Sequence, residues 1–158
     1  MQKIDLRKSY TNQELEELKQ ELIAKKIITN EEANYINLFK IQNFLKSNLA
    51  QKIKQAQIIE KEKAFCIKIN AKDVFENAEK ETILVQGIID LYAIFNDGKI
   101  LLLDYKTDYV ESGNEDMLIR KYKKQLDLYK KALEEALNQN VEEVYIYSLY
   151  LNKEIKID

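Results

Sequence analysis

Two aspartates interrupt otherwise apolar strand-like runs: Asp90 in GIIDLY and Asp104 in LLLDYKTD. Lys106 follows Asp104 by two residues, and side chains two apart on a strand share a face. Whether Asp90 joins them depends on the intervening turn. A loop of Asn96-Asp97-Gly98 pairs Phe95 with Lys99 and sets Asp90 directly opposite Asp104, where Cβ atoms lie about 4.5–5.5 Å apart. A loop of Asp97-Gly98 alone sets Asp90 against Tyr105, pointing away. In the first register two carboxylates and a lysine converge on the covered face of a central strand. Buried like charges that close are unfavourable unless one is protonated or a cation lies between them. Lys106 offsets part of the repulsion. A divalent metal offsets more, and oxygen donors suit Mg2+ or Mn2+. The plainer alternative is a structural Asp104–Lys106 pair with Asp90 in water at a strand end.

A second group sits on a helical segment. Gln125 and Tyr129 are four apart and share a face, with Tyr122 nearby. Arg120, Lys121, Lys123, Lys124, Lys130 and Lys131 surround them, against the acid Asp127. Such a helix can run along a phosphate backbone. It reads equally as an amphipathic helix with a solvated lysine face.

These groups need a scaffold. Thr11–Glu14 and Thr29–Glu32 fit capping boxes, and Leu15, Leu18, Leu22 and Ile23 recur at helical spacing. A further helical stretch is expected over Gln42–Lys54. Strand character begins near Gln57, with alternation over Ile58–Ala71. Ile83–Phe95 is a long strand, Asn96-Asp97-Gly98 a hairpin turn, and Lys99–Lys106 the return strand. The return strand is apolar on both faces and is therefore expected at the centre of a sheet. Glu115–Asn138 reads as a helix and Val144–Leu151 as a last strand. Cys66 is expected as a small core residue. Tyr145, Tyr147 and Tyr150 are expected to pack, Thr107 and Asp108 to form a turn or cap, and Gly87 to permit a close backbone approach or a bulge.

Composition narrows the chemistry. With 46% hydrophobic and 33% charged residues the chain is globular rather than disordered. It contains no histidine, which removes histidine triads and imidazole acid–base catalysis. The net charge of −2 does not advertise nucleic-acid binding. One cysteine excludes an internal disulfide and fits a reducing compartment, and the N-terminus lacks the apolar core of a signal peptide, so a cytoplasmic location is expected.

Asp90, then Asp104-Tyr105-Lys106, then Gln125-x-x-x-Tyr129 resembles the PD-(D/E)XK nuclease pattern in its RecB-like form. LVQGIIDLY, LLLDYKTDYV, LIRKYKKQLDLYKKALEE and VYIYSLYLNKEI resemble the C-terminal nuclease domain of the AddA component of AddAB-type ATP-dependent helicase-nucleases. Glu62-Lys63-Ala64-Phe65 resembles the glutamate-led strand preceding them. The likeness covers Ile58–Ile155. It implies an α/β, restriction-endonuclease-like core, a mixed sheet flanked by helices, behind an N-terminal helical segment. Residues 1–158 would form a single nuclease domain, with 1–56 a helical lead-in and 57–158 the catalytic core. The implied activity is Mg2+-dependent (or Mn2+-dependent) cleavage of DNA during double-strand-break processing. Asp90 and Asp104 would be metal ligands, and the Tyr105 backbone carbonyl would complete part of the shell. Lys106 would orient the attacking water. Gln125 and Tyr129 would position the DNA backbone or support Lys106. Glu62 would either help bind metal or be structural. The implied partners are DNA, the helicase region of the same polypeptide and a second helicase/nuclease subunit.

The sequence departs from the family in one respect. A histidine on an upstream helix commonly contributes to the family's metal site, and this chain has none. It also lacks a Walker motif. The expectation is a fragment of a longer helicase-nuclease. The alternative is a catalytically weak or silent DNA-binding or scaffold module of the same fold.

Overall fold

The computed structural model describes residues 1–73 and 81–157. The chain divides into two compact units, Lys3–Gln55 and Ala56–Asp158.

The first unit is helical: α1 (Asn12–Ala24), α2 (Asn30–Asn34), α3 (Leu38–Lys46) and α4 (Asn48–Lys54). Both capping boxes form. The Thr11 and Thr29 hydroxyls accept from the Glu14 and Glu32 N–H groups, and each glutamate reaches back to its cap. Such a cap contributes about 1 kcal/mol. The expected single helix over Gln42–Lys54 is instead two. Ser47 ends α3 in an extended conformation and caps α4, its side chain accepting from the Ala50 N–H. A serine whose hydroxyl can satisfy a free helix N–H competes with continuation of the helix. Leu15, Phe44 and Ile53 are among the buried residues of this unit.

The second unit is a mixed five-stranded sheet in the order β1 (Ile58–Asn70), β2 (Thr82–Ile94), β3 (Ile100–Lys106), β4 (Val141–Ser148), β5 (Lys153–Ile157). The β3–β4 pair is parallel and the others antiparallel. The parallel pair needs a long crossover, supplied by α5 (Asp116–Leu137). Strands and helices in this arrangement form the α/β class that the resemblance implies. As expected from its two-sided apolar run, β3 is central, with Ile100, Leu101, Leu102 and Leu103 all buried. One face carries Tyr92, Ile100, Leu102, Val144 and Ile146 against Leu118, Leu126 and Leu133 of α5. The last strand is shorter than expected. It ends at Ser148, and a turn with Asn152 at φ +52° returns the chain into β5. Asparagine tolerates this left-handed conformation, which lets the turn close.

The hairpin follows the three-residue loop. Phe95 and Lys99 are joined by a 2.9 Å backbone hydrogen bond, Gly98 has φ +84°, and Leu91 pairs with Leu103. Asp90 therefore comes opposite Asp104, one step past the last ladder pair.

The pleat of β2 reverses at this point. Ile89 and Tyr92, three apart, both join the core beneath α5. Before the reversal Phe65, Ile67, Ile69, Ile83 and Val85 face Ala132 and Leu128 of α5. Opposite Asp90, between the pairs Lys61↔Leu91 and Lys63↔Ile89, Glu62 has φ +53°, left-handed in mid-strand. Cys66 falls on the outer side of this alternation, opposite Gln86, and is exposed rather than in the core. Among the described residues no helix is long and apolar enough to cross a membrane.

Candidate active site

Asp104 lies on β3, 2% exposed, with Lys106 two residues on along the same face. Lys106 Nζ is 2.6 Å from Asp104 Oδ2. Burial pushes the Asp104 carboxyl up. Lys106 pulls it back through a hydrogen bond and its charge, and Asp90 pushes it further up. Beyond the ladder, Asp90 Oδ2 accepts a 2.9 Å hydrogen bond from the Tyr105 N–H. A carboxylate thus holds the backbone between the other two charged residues. The half-buried Tyr105 phenol is held well above its ordinary value by burial, with Asp90 and then Glu62 acting in the same direction.

From α5, Gln125 Oε1 accepts from Lys106 Nζ at 3.1 Å, and Gln125 Nε2 donates to the Tyr129 hydroxyl oxygen at 2.6 Å. The ammonium has only donors, so the amide oxygen must face it, leaving the amide nitrogen for Tyr129. Burial raises the Tyr129 phenol and the Gln125 bond pulls it back. The Tyr129 ring meets Phe65 edge-on at 5.3 Å between centroids. Gly87 makes room for this contact: a Cβ there would lie 2.8 Å from Phe65 Cε1. The close approach expected at Gly87 is thus between its backbone and an aromatic ring.

The structure brings Asp90, Asp104, Lys106, Gln125 and Tyr129 into one connected set. Glu62 occupies the position opposite Asp90 on β1 and is exposed. Among the described residues no three acidic, histidine or cysteine side chains converge on one point. Two residues gain a part that their sequence positions leave unread. The Tyr122 ring lies 4.0 Å below Lys106 Nζ, a cation–π contact, and its hydroxyl donates to Asp108 at 2.9 Å. Asp108 also pairs with Lys121, and hydrogen bonds from Lys121 and then Tyr122 hold its carboxyl below the ordinary range. The signal for Tyr122 is its spacing: three before Gln125 and seven before Tyr129 keeps it on the same helix face.

The donor set fits a hard divalent cation. Asp104 Oδ2 is buried and meets the Lys106 ion pair but no hydrogen-bond donor among the described residues, so it retains accepting capacity. Mg2+ is commonly held by one or two carboxylates, with waters and substrate phosphate supplying the rest. Asp90 and Asp104 meet that requirement without a third side chain.

Comparison with known proteins agrees with this geometry. The family model described as the PD-(D/E)XK nuclease superfamily matches residues 2–157. The A-type subunit of the ATP-dependent helicase/nuclease of Clostridium novyi (strain NT) is 37% identical over 162 residues, covering 99% of this chain and 13% of that protein. Its counterpart of the same name from Clostridium perfringens (strain 13 / Type A) is 40% identical over 166 residues, with the same coverages. That from Thermoanaerobacter sp. (strain X514) is 37% identical over 159 residues, covering 98% and 13%. The chain thus spans about an eighth of the length of these curated relatives. Because the family match runs through nearly all of it, the chain belongs to the PD-(D/E)XK nuclease superfamily.

Proposed function

We propose that this chain is the nuclease domain of an AddAB-type helicase-nuclease, hydrolysing DNA phosphodiester bonds exonucleolytically with Mg2+ or Mn2+. The connected set Asp90–Asp104–Lys106–Gln125–Tyr129 carries this reading. Residues 1–158 work as one domain, 1–56 as lead-in and 57–158 as catalytic core. The setting is double-strand-break processing in the cytoplasm, alongside a helicase region of the same polypeptide and a second helicase/nuclease subunit.

Asp90 and Asp104 would hold the cation, with the Tyr105 backbone carbonyl beside them. A bound divalent cation supplies Lewis-acid activation of water and of the phosphoryl oxygens, so no imidazole is required. Lys106 presents its ammonium next to Asp104, where it stabilises negative charge developing on the phosphate and orients the attacking water. The Gln125 hydrogen bond and the Tyr122 ring fix that ammonium from two further sides. Pre-positioning lowers the reorganisation needed at the moment of reaction. Tyr129 holds Gln125. Glu62 either adds a carboxylate or serves the backbone.

The test is degradation of linear single-stranded DNA with Mg2+ or Mn2+, set beside Asp104→Ala. Cleavage that falls by at least about a hundredfold in the variant supports the reading. Equal cleavage by both proteins overturns the site. Convergence of only two acidic side chains among the described residues favours a second reading, a silent DNA-binding module. DNA binding without cleavage by either protein supports that reading.

A further inference from the structure

Beside this site lies a feature the hydrolytic machinery does not use. Tyr109 and Tyr150 are 65% and 40% exposed, yet their rings meet edge to face, 4.8 Å between centroids and 65° between planes. We propose that this pair is a stacking platform for an unpaired base of a single DNA strand. The proposal rests on the nuclease reading and names the form of DNA that the site takes.

Position comes first. Tyr109 is three residues beyond Lys106, and Tyr150 is two beyond Ser148, which pairs with Lys106 across β3 and β4. A 2.8 Å hydrogen bond from the Leu149 N–H to the Lys106 carbonyl closes that end of the sheet. A strand advances about 3.3 Å per residue, so both rings lie roughly 7–10 Å of chain past the Lys106 level. Asp108, adjacent to Tyr109, binds the Tyr122 ring on which Lys106 rests.

Rigidity comes second. Tyr109 stands between Asp108, held by Lys121 and Tyr122, and Val110, which is fully buried. Tyr150 stands in the β4–β5 turn, where the Ser148 hydroxyl accepts from the Leu151 N–H at 3.2 Å. The chain on either side of each ring is tied down, and the rings are held outward. Core burial does not explain such an arrangement. Rings held in place before a ligand arrives lose little freedom when it binds.

Chemistry comes third. In an edge-to-face pair at least one face of each ring stays open. Every base offers a π face to such a ring, whereas bases inside a duplex are already stacked. The first turns of α5 bring Arg120, Lys121, Lys123 and Lys124 to the same end of the sheet, a positive charge suited to a phosphate backbone. A protein partner of ordinary apolar character would not call for that charge.

The experiment measures binding of a labelled short oligothymidine, an abasic strand of equal length and charge, and a blunt duplex. Fluorescence anisotropy in Ca2+ reads the wild type, Tyr109→Ala/Tyr150→Ala and Tyr109→Phe/Tyr150→Phe. Circular dichroism checks that the variants fold. The wild type should prefer oligothymidine to the abasic strand by about tenfold or more. The alanine variant should lose that preference and leave duplex binding unchanged, while the phenylalanine variant keeps the preference. A wild type indifferent to the bases overturns the platform, as does an alanine variant that still discriminates. Equal losses on duplex and single strand also overturn it. Cleavage assayed separately distinguishes the two readings. Asp104-dependent cleavage without base discrimination sinks the platform alone. Base discrimination without such cleavage sinks the nuclease reading and leaves the platform standing.

Discussion

The two aspartates face each other across β2 and β3, but the walls that carry them are built differently. Asp104 stands on a buried central strand, in contact with Lys106, which is held in turn by Gln125 and Tyr122. Asp90 is half-buried at a reversal of the pleat, faces an exposed Glu62 in a left-handed conformation, and spends an oxygen on a backbone N–H. One wall is assembled from side chains in mutual contact. The other is assembled from backbone irregularity and open to water. The difference follows from the strands. β3 is apolar on both faces, so an ionised group on it must be partnered. β1 and β2 run on past the site with one face exposed, including Leu84 and Ile88, and a charged residue there needs no partner.

The contrast between the walls breaks most sharply at Lys106. Lys106→Ala leaves Asp104 buried without its cation and should lower stability by about 3 kcal/mol, the usual penalty for orphaning one member of a buried pair. Cleavage should fall by about a hundredfold or more. Asp104→Asn also removes the ion pair but leaves no buried charge behind, so its loss of stability should be smaller. Thermal melts with and without Mn2+ check both points. If Asp104→Asn and the wild type are shifted equally by the metal, Asp104 is not a ligand.

Gly87→Ala probes the link between the walls. The added methyl meets the Phe65 ring, which supports Tyr129 and, through it, Gln125. A melt should show a loss of about 1–3 kcal/mol, the usual range for overpacking. Cleavage should fall less than in Lys106→Ala, because no charge is removed. A variant as stable as the wild type means the ring moves aside freely and Tyr129 is not held by it.

The well-built wall is the more legible one in the sequence. Asp104, Lys106, Gln125 and Tyr129 can be read because strand period, helix period and a glycine-bearing turn each place residues by local geometry. Asn96-Asp97-Gly98 even selects the register, since a left-handed glycine closes a three-residue loop. What escapes is non-local or depends on competition. The hydroxyl of Ser47 wins against helix continuation. Asn152 turns the chain into β5. Cys66 faces outward because side chains alternate along β1 and its neighbours take the side facing α5. Tyr150 reads as packing in the sequence. Its exposure arises from the turn that holds it and from Tyr109, forty-one residues earlier in sequence. The pleat reversal leaves no local mark either, because glutamate is not a residue that advertises positive φ.

Glu62 therefore separates two explanations of the open wall. Its left-handed backbone costs a side-chain-bearing residue about 1–2 kcal/mol that glycine escapes, while glycine loses about 0.5–1 kcal/mol through its freer unfolded chain. Glu62→Gly should accordingly be neutral or more stable by up to about 1 kcal/mol. Glu62→Val, with a branched Cβ at the same φ, should be less stable than the wild type by about 1–2 kcal/mol. Chemical denaturation of the three proteins checks this order. Cleavage then decides what the carboxylate is for. If Glu62→Gly cleaves as the wild type does, the residue serves only to turn the strand at Asp90, and the site works with two acidic side chains. If Glu62→Gly is stable but loses cleavage while Asp104-dependent metal binding weakens, the exposed wall contributes a third carboxylate. The backbone irregularity would then be what aims it.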